Sequence, residues 1–517
     1  MKKLTLLLCF VSFLTKAQNI TVASGKSFTV EKTGSVTMSG NFSNSGAFTL
    51  NSDSDEFSSI IIGGSVSGNI TYNRYVNPVG TNEWDLIGSP VDGLSISAFT
   101  STNSSTLATN GSAYAIGEYN NVTDTWTNYT TSTIGSSGNF DIGKGYQMGS
   151  IGSGSGILVF TGSPASTNQT QSIINNDAAN SGTGRRWNLV ANPFPSYIQG
   201  NANAHATNNF LTVNSDKLDD SYEAIYGYDA DGTGYTIYNN IGTLLLAPGQ
   251  AFMVASDNTN SDNISFTTQM RTVVGGDDLI LGRIMQDSYE LILSINQGDT
   301  EIDQTKFYFQ DGLNLGLDPG YDAGHFNQQA ALTSRLVEED EGVGFAINAM
   351  GLESINDVVI PLVINRESAD GFRISIHSNG IYEGTNVYLE DNQQGTMTLL
   401  NEQDFELIPE INLSEVGRFY LHLTQTTFST EDDIQTNYLN GYKLDAFNFI
   451  TIEGLAFQTN QTNLRVYDIL GQEVLHKTLA NNNNRETVST EGFATGVYVI
   501  KLESGNVIVT KKIVIKK

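Results

Sequence analysis

Apolar residues in this chain come in short alternating runs, and that spacing limits its possible folds more than any other feature. In Ile20-Thr21-Val22, Ser27-Phe28-Thr29-Val30, Ser35-Val36-Thr37-Met38 and Ala47-Phe48-Thr49-Leu50 the alternation lasts three or four residues, then meets Gly, Asn, Ser or a charge. A period of two turns one face of a strand to a core and the other to water, and the small polar clusters supply turns. Ser, Thr, Asn and Gly are abundant in the first half while Lys and Glu are sparse, which disfavours long helices. The expected class is all-β. Runs this short bury too little alone, so residues 18–72 are expected to stack as a short β-solenoid, with a meander as the alternative.

Residues 73–276 repeat themselves. Trp84-Asp85-Leu86-Ile87-Gly88-Ser89-Pro90 is answered by Trp187-Asn188-Leu189-Val190-Ala191-Asn192-Pro193, and Ala115-Ile116-Gly117-Glu118-Tyr119 by Ala224-Ile225-Tyr226-Gly227-Tyr228. Gly143-Lys144-Gly145-Tyr146-Gln147-Met148 matches Pro248-Gly249-Gln250-Ala251-Phe252-Met253, and Ile157-Leu158-Val159-Phe160-Thr161 matches Asn263-Ile264-Ser265-Phe266-Thr267. The order is kept, with offsets of 103 residues between the tryptophans and 106 between Phe160 and Phe266. Two β-sandwich-like units are expected, at about 73–180 and 181–276. Trp84 and Trp187 fall in alternating patterns beside leucines and are expected in the core. Trp126, in the hairpin pattern Asp124 to Tyr129, is the candidate for exposure, and with Tyr129 and Tyr146 could stack on a sugar.

Charge changes along the chain. Lys+Arg number 26 against 55 Asp+Glu, a net charge of −29, which repels phosphate backbones and anionic headgroups and so argues against nucleic-acid and membrane-surface partners. Residues 277–428 hold 26 acidic and 6 basic residues. Strands are expected at Tyr289 to Ile295, Thr305 to Phe309, Val358 to Ile364, Phe372 to Ile376, Val387 to Leu389 and Phe419 to Leu423, making an acidic, jelly-roll-like β-sandwich. Leu332 to Glu341 reads as a short helix or a loop, and Glu338 to Glu341 as a solvated surface. Residues 429–440 read as a linker and 441–517 as a final small sandwich.

Residues 1–17 read as a signal peptide: basic Lys2 and Lys3, an apolar run from Leu4 to Leu14, then Thr15-Lys16-Ala17 with cleavage between Ala17 and Gln18. The run is too short to span a bilayer, and no later segment reaches the ~18 apolar residues a transmembrane helix needs. Cys9, the single cysteine, lies inside it, so the processed chain would have no disulfide, cysteine zinc site or cysteine nucleophile.

The final segment carries Leu464-Arg465-Val466-Tyr467-Asp468-Ile469-Leu470-Gly471-Gln472-Glu473-Val474, then Gly496-Val497-Tyr498-Val499-Ile500-Lys501-Leu502, then Val509-Thr510-Lys511-Lys512-Ile513-Val514. These are strands with glycine reversals, and Gly471 and Gly496 suit positive φ or a sharp turn. In these residues the chain resembles the type A C-terminal sorting domain of the type IX secretion system, an immunoglobulin-like β-sandwich. Tyr467, Asp468, Gly471, Gly496, Val497, Tyr498, Thr510, Lys511 and Lys512 match its three motifs. Phe447-Asn448-Phe449-Ile450 stands where family members often have Y-P-N-P. The resemblance implies passage through the periplasm, handling by the type IX machinery, and removal of the domain with release or surface attachment. Asn192 to Ser196, Gly143 to Tyr146 and Leu317 to Asp322 look like segments of adhesin-like cargo of this system.

No metalloprotease, P-loop or nucleophile-elbow motif is present, and His205, His325, His377, His422 and His476 are dispersed. Gly152 to Gly156 reads as a loop. Asp229-Ala230-Asp231-Gly232 has two carboxylates at calcium-ligand spacing, but the remaining loop ligands are missing, so a hairpin turn is expected there. No cofactor, metal or catalytic residue is assigned. The expectation is a secreted or cell-surface structural or adhesin-like protein that is not an enzyme, whose other partners would be surface glycans or surface proteins. The alternatives are a carbohydrate-binding accessory protein and a hydrolase with paired carboxylates in 277–428.

Overall fold

A computed structural model describes residues 18–80, 84–176, 185–229, 234–257, 261–277, 288–327, 329–377, 384–414, 416–425, 439–443, 449–458, 460–481, 485–505 and 507–515. The signal peptide, including Ala17, and residues 429–438 of the expected linker lie outside them, as do Ala230 to Gly232. The chain forms two units: residues 1–219 with 224–284, and residues 220–223 with 285–517.

The first unit opens with a parallel β-solenoid of three strands per turn. Ile20–Val22, Phe42–Asn44 and Val66–Ser67 stack in one row, Ser27–Val30, Ala47–Asn51 and Ile70–Tyr75 in the second, and Ser35–Met38 and Ser59–Ile62 in the third. The parallel pairing excludes the meander, whose successive strands would run antiparallel, and places Phe42–Asn44 and Ala47–Asn51 each between two rungs. A corner is fixed by an asparagine ladder: Asn19 Oδ1 accepts the Asn41 amide at 2.7 Å, and Asn41 Oδ1 accepts the Ser65 amide at 2.9 Å. Ile70–Tyr75 has a second role, pairing antiparallel with Ile157–Gly162. The solenoid and the first repeat therefore share one core, from Val22 and Phe48 to Phe99 and Phe160.

The duplication extends to individual atoms. In the first repeat Tyr146–Met148 lies between Asp85–Ile87 and Ala113–Asn120, with Thr125–Thr130 outermost. In the second, Ala251–Ala255 lies between Trp187–Ala191 and Ile225–Asp229, with Gly234–Tyr238 outermost. This register moves one match by a residue, because Tyr146 opposite Ile87 corresponds to Phe252 opposite Val190. Each repeat also holds a short helix missing from the sequence reading, Ile96–Thr102 capped by Ser95 and Phe210–Asn214 capped by Asn209.

The repeats meet reciprocally. The Gly88 amide donates to Gly249 O at 2.7 Å, and the Ala191 amide donates to Gly143 O at 2.8 Å. Ile87 bridges Gln250 while Val190 bridges Lys144. Exchanging the repeats converts one set into the other, which is a local two-fold. A Cβ on Gly88 would stand 2.3 Å from the Ala191 Cβ, so the close approach needs glycine on one side.

In the second unit, one eleven-stranded sheet folds over its own core of Leu291, Leu293, Phe307, Ile360, Leu389 and Leu421, among others. Its order is Thr396–Leu399, Asn386–Asp391, Phe419–Thr424, Asp357–Ile364, Leu332–Ser334, Phe345–Met350, Thr300–Gln310, Ser288–Gln297, Phe372–His377, Phe405–Leu407, with Ala323–Gly324 added beside Phe345–Met350. Every neighbour pair is antiparallel except Thr300–Gln310 with Phe345–Met350. All six strands expected from the sequence are present. Leu332 to Glu341 begins as a buried strand, Leu332–Ser334, rather than a helix, because its three residues bridge two longer strands.

Candidate sorting surface

The last two sheets form a sandwich. Glu473–Leu479, Thr462–Asp468, Gly496–Ser504 and Val507–Ile515 make the four-stranded layer in that order; Asn440–Tyr442, Phe449–Glu453 and Arg485–Ser489 make the other. Leu464, Val466, Ile500, Leu502 and Ile513 point into the shared core. The residues between them face outward. Register places Tyr467, Val499 and Lys512 in one row of that outer face and Arg465, Lys501 and Thr510 in the next.

The sequence-assigned residues divide into builders and outer groups. Asp468 builds the reversal: its Oδ1 accepts the Leu470 and Gln472 amides, each at 2.9 Å, and its carbonyl accepts the Gly471 amide at 2.9 Å. Gly471 sits at φ +80°, a backbone that favours glycine. Gly496 does not share that geometry. It opens a strand with ordinary backbone, and the positive φ in the preceding loop belongs to Gly492. Tyr498 is buried; its hydroxyl donates to Ala494 O at 3.0 Å and its ring meets Phe493 edge-on at 5.3 Å. Lys511 and Lys512 are exposed on opposite faces of the last strand, opposite Ile500 and Val499, and Val497 lies opposite Val514. Gln18 is far earlier in the chain, an exposed residue just before the first rung.

Sequence reasoning gave no role to Arg485. Its guanidinium leaves the small sandwich and donates to Gly417 O at 2.8 Å and to Tyr420 Oη at 2.7 Å. Beside it a cleft of about 570 Å³ is lined by Leu413, Val416 and Phe419 of the acidic sheet and by Phe449 and Thr487 of the small sandwich. A lone arginine opening a short polar strand has no periodicity that would announce this contact.

Elsewhere, polar groups are absorbed by structure. Asn103 Nδ2 donates to Phe99 O and Val159 O while its Oδ1 accepts the Val159 amide; Asn214 repeats this with Phe210 O, Ser265 O and the Ser265 amide. His422 Nε2 meets Glu390 Oε2 at 2.8 Å, both buried, and Arg418 grips Asp391 with two bonds. Asp311 and Glu353 line one shallow cleft and Asp299 and Glu406 another. Among the described residues no three or more His, Cys, Asp or Glu side chains gather as metal ligands, and no helix is long and apolar enough to cross a membrane.

The aromatics rearrange the sequence expectation. Trp187 is buried against Tyr226, with ring centroids 4.5 Å apart, whereas Trp84 is half-buried and precedes its strand. Tyr146 is buried under Phe140, so Trp126, Tyr129 and Tyr146 share no exposed face. Trp126 instead pairs with Tyr119 directly across its hairpin at 5.2 Å, and Tyr235 pairs with Tyr228 at the corresponding place in the second repeat at 5.4 Å.

A family described as "Domain of unknown function (DUF8693)" matches residues 10–462. The chain belongs to that family. A second description, "Secretion system C-terminal sorting domain", matches residues 446–516, the segment whose turn and outer face are given above. This DUF8693 protein thus carries a sorting domain, which makes it type IX secretion cargo and places it outside the cell or on its surface. No curated protein matches. Among solved structures, a "Biofilm associated protein - BSP domain" is 9% identical with a TM-score of 0.19, over 87% of this chain and 96% of that one. A "tetra-tandem repeat in extending region of large adhesion protein" is 8% identical with a TM-score of 0.12, over 57% of this chain and 91% of that one. Neither score carries a shared architecture.

Proposed function

We propose that this protein is a non-enzymatic structural or adhesive protein of the cell surface, delivered by its sorting domain. The observation carrying the reading is the join between a sorting domain and a strand-built body in which buried side chains such as Asn103 and Asn214 serve the backbone. Asn103, Asn214 and the Asp391–Arg418 pair are spent on holding strands and helices in register. The test is fractionation of cells carrying the intact gene or a deletion of residues 440–517. Full-length protein is expected outside the cell and the truncated protein in the periplasm; equal export of both sinks the reading. Comparing attachment of wild-type and gene-deleted cells to surfaces then tests the adhesive part, which fails if attachment is unchanged.

The paired hairpins support a second reading, carbohydrate binding. Tyr119 with Trp126 and Tyr228 with Tyr235 are half-buried aromatic pairs at equivalent positions of the two repeats. A glycan array with the full chain tests it. Specific binding that falls on Trp126→Ala would favour this reading over the structural one.

A further inference from the structure

The sorting domain ends one side of its four-stranded sheet in a turn that does the opposite of what a soluble turn normally does. Asp468 to Gln472 is cross-tied by its own side chain and backbone, and at its tip it holds Ile469 and Leu470, 75% and 87% exposed. Leu470 is the most exposed large apolar residue among those described, and Ile469 the next. Tip residues of a turn are ordinarily small or polar. Two further exposed apolar residues lie at the same end: Val474 on the outgoing strand, and Val497, one residue beyond the Tyr498 that pairs with Asp468.

We propose that the Ile469-Leu470 tip is the contact by which the sorting domain is bound, inserting into an apolar pocket on a protein of the secretion machinery. The proposal rests on the reading of residues 446–516 as a sorting domain and names the part of it that is gripped. The geometry favours a protein pocket. A single two-residue tip on a stiff hairpin is a knob, and ordering it before binding removes the entropy that a floppy loop would lose on docking. The machinery is the partner because the tip belongs to the segment that matches a secretion system sorting domain. On this view Asp468 and Gly471 are positioning residues. They make no contact with the partner, but they fix the turn that presents the tip.

The experiment follows export of the full chain in the native host, with three variants beside the 440–517 deletion. Ile469→Ser/Leu470→Ser is expected to lower the extracellular protein by about tenfold or more, with matching periplasmic accumulation. Its melting temperature, measured on purified protein, should stay at the wild-type value because both positions are solvent-exposed. Asp468→Ala should lower export through a loosened turn, and Asp468→Asn, whose side-chain carbonyl can still accept the two amides, should restore it. Should the serine pair lower the melting temperature, Leu470→Lys alone, at the most exposed position, decides by the same export assay. Normal export of folded tip variants while the deletion is trapped overturns the tip and leaves the sorting domain standing. Normal export of the deletion itself overturns the reading beneath it.

Discussion

Asn103 and Asn214 show how much one buried side chain can hold. Each ends a helix, bonds back to the phenylalanine four residues earlier, and clamps a strand of its repeat, Ile157–Gly162 or Asp262–Phe266, at both the amide and the carbonyl of one residue. Removing either leaves buried backbone groups without partners, at a cost of about 3 kcal/mol. Hydrogen exchange should separate the two: Asn103→Ala is expected to deprotect the Val159 amide and spare Ser265, and Asn214→Ala the reverse. Equal deprotection at both sites would mean the repeats do not open independently. Asp322 makes a different prediction. Burial pushes its carboxyl up to about 7, against the amides of Ala349 and Asp318 that favour the charged form. Its stabilising contribution is complete below the unfolded value of 3.8 and is lost as pH rises through about 7. Over that window the second unit should lose on the order of 4 kcal/mol, by the usual conversion of pKa shift to energy. Glu223, pushed to about 7 by burial and then by Asp220, adds in the same range. Denaturant titrations from pH 4 to 8 should show a shallower slope for Asp322→Asn than for the wild type; an unchanged slope would remove Asp322 from the account.

At the scale of elements, the sorting sandwich carries its own core yet is fastened to the acidic sheet by Arg485. Two bonds to Gly417 O and Tyr420 Oη, with the guanidinium also 5.4 Å over the Tyr420 ring, make a contact that one substitution can sever. Arg485→Ala is expected to raise hydrogen exchange in Arg485–Ser489 and Phe419–Thr424 while leaving both cores folded. Arg485→Lys should rescue it only in part, since an ammonium lacks the forked geometry. Exchange rates equal to wild type would show that the rest of the interface holds the sandwich in place. Most strand runs of this unit were legible from sequence because they alternate or run apolar for five or more residues, as in Val358 to Ile364 and Phe419 to Leu423, while Val387 to Leu389 is three apolar residues in succession. Leu332–Ser334 was not, because it has a single apolar residue and acquires its strand from neighbours on both sides. The two short helices were missed for a related reason: five to seven residues hold too few turns for a helical stripe.

At the scale of the whole molecule, the sorting domain is an addition to a body that does not need it for its cores. The clusters around Phe48, Phe210 and Leu421 contain no residue beyond 423. The chain lacking residues 440–517 should therefore keep the wild-type near-ultraviolet dichroism of its tyrosines and tryptophans apart from the lost tail. A collapsed spectrum would mean that trapping in the periplasm reports misfolding rather than a missing address. Sequence pattern alone set the all-β class, the duplication and the sorting motifs, because a period of two, a repeated order of segments and a glycine turn are each written in the sequence itself, while for residues 18–72 it left stacked rungs and a meander both open. Tertiary structure decided the reciprocal contact of the two repeats, the burial of Tyr146, the reach of Arg485 and the exposure of Leu470. Those depend on which surfaces the chain brings together over long separations, and an alternating pattern says which face is apolar but not what will cover it.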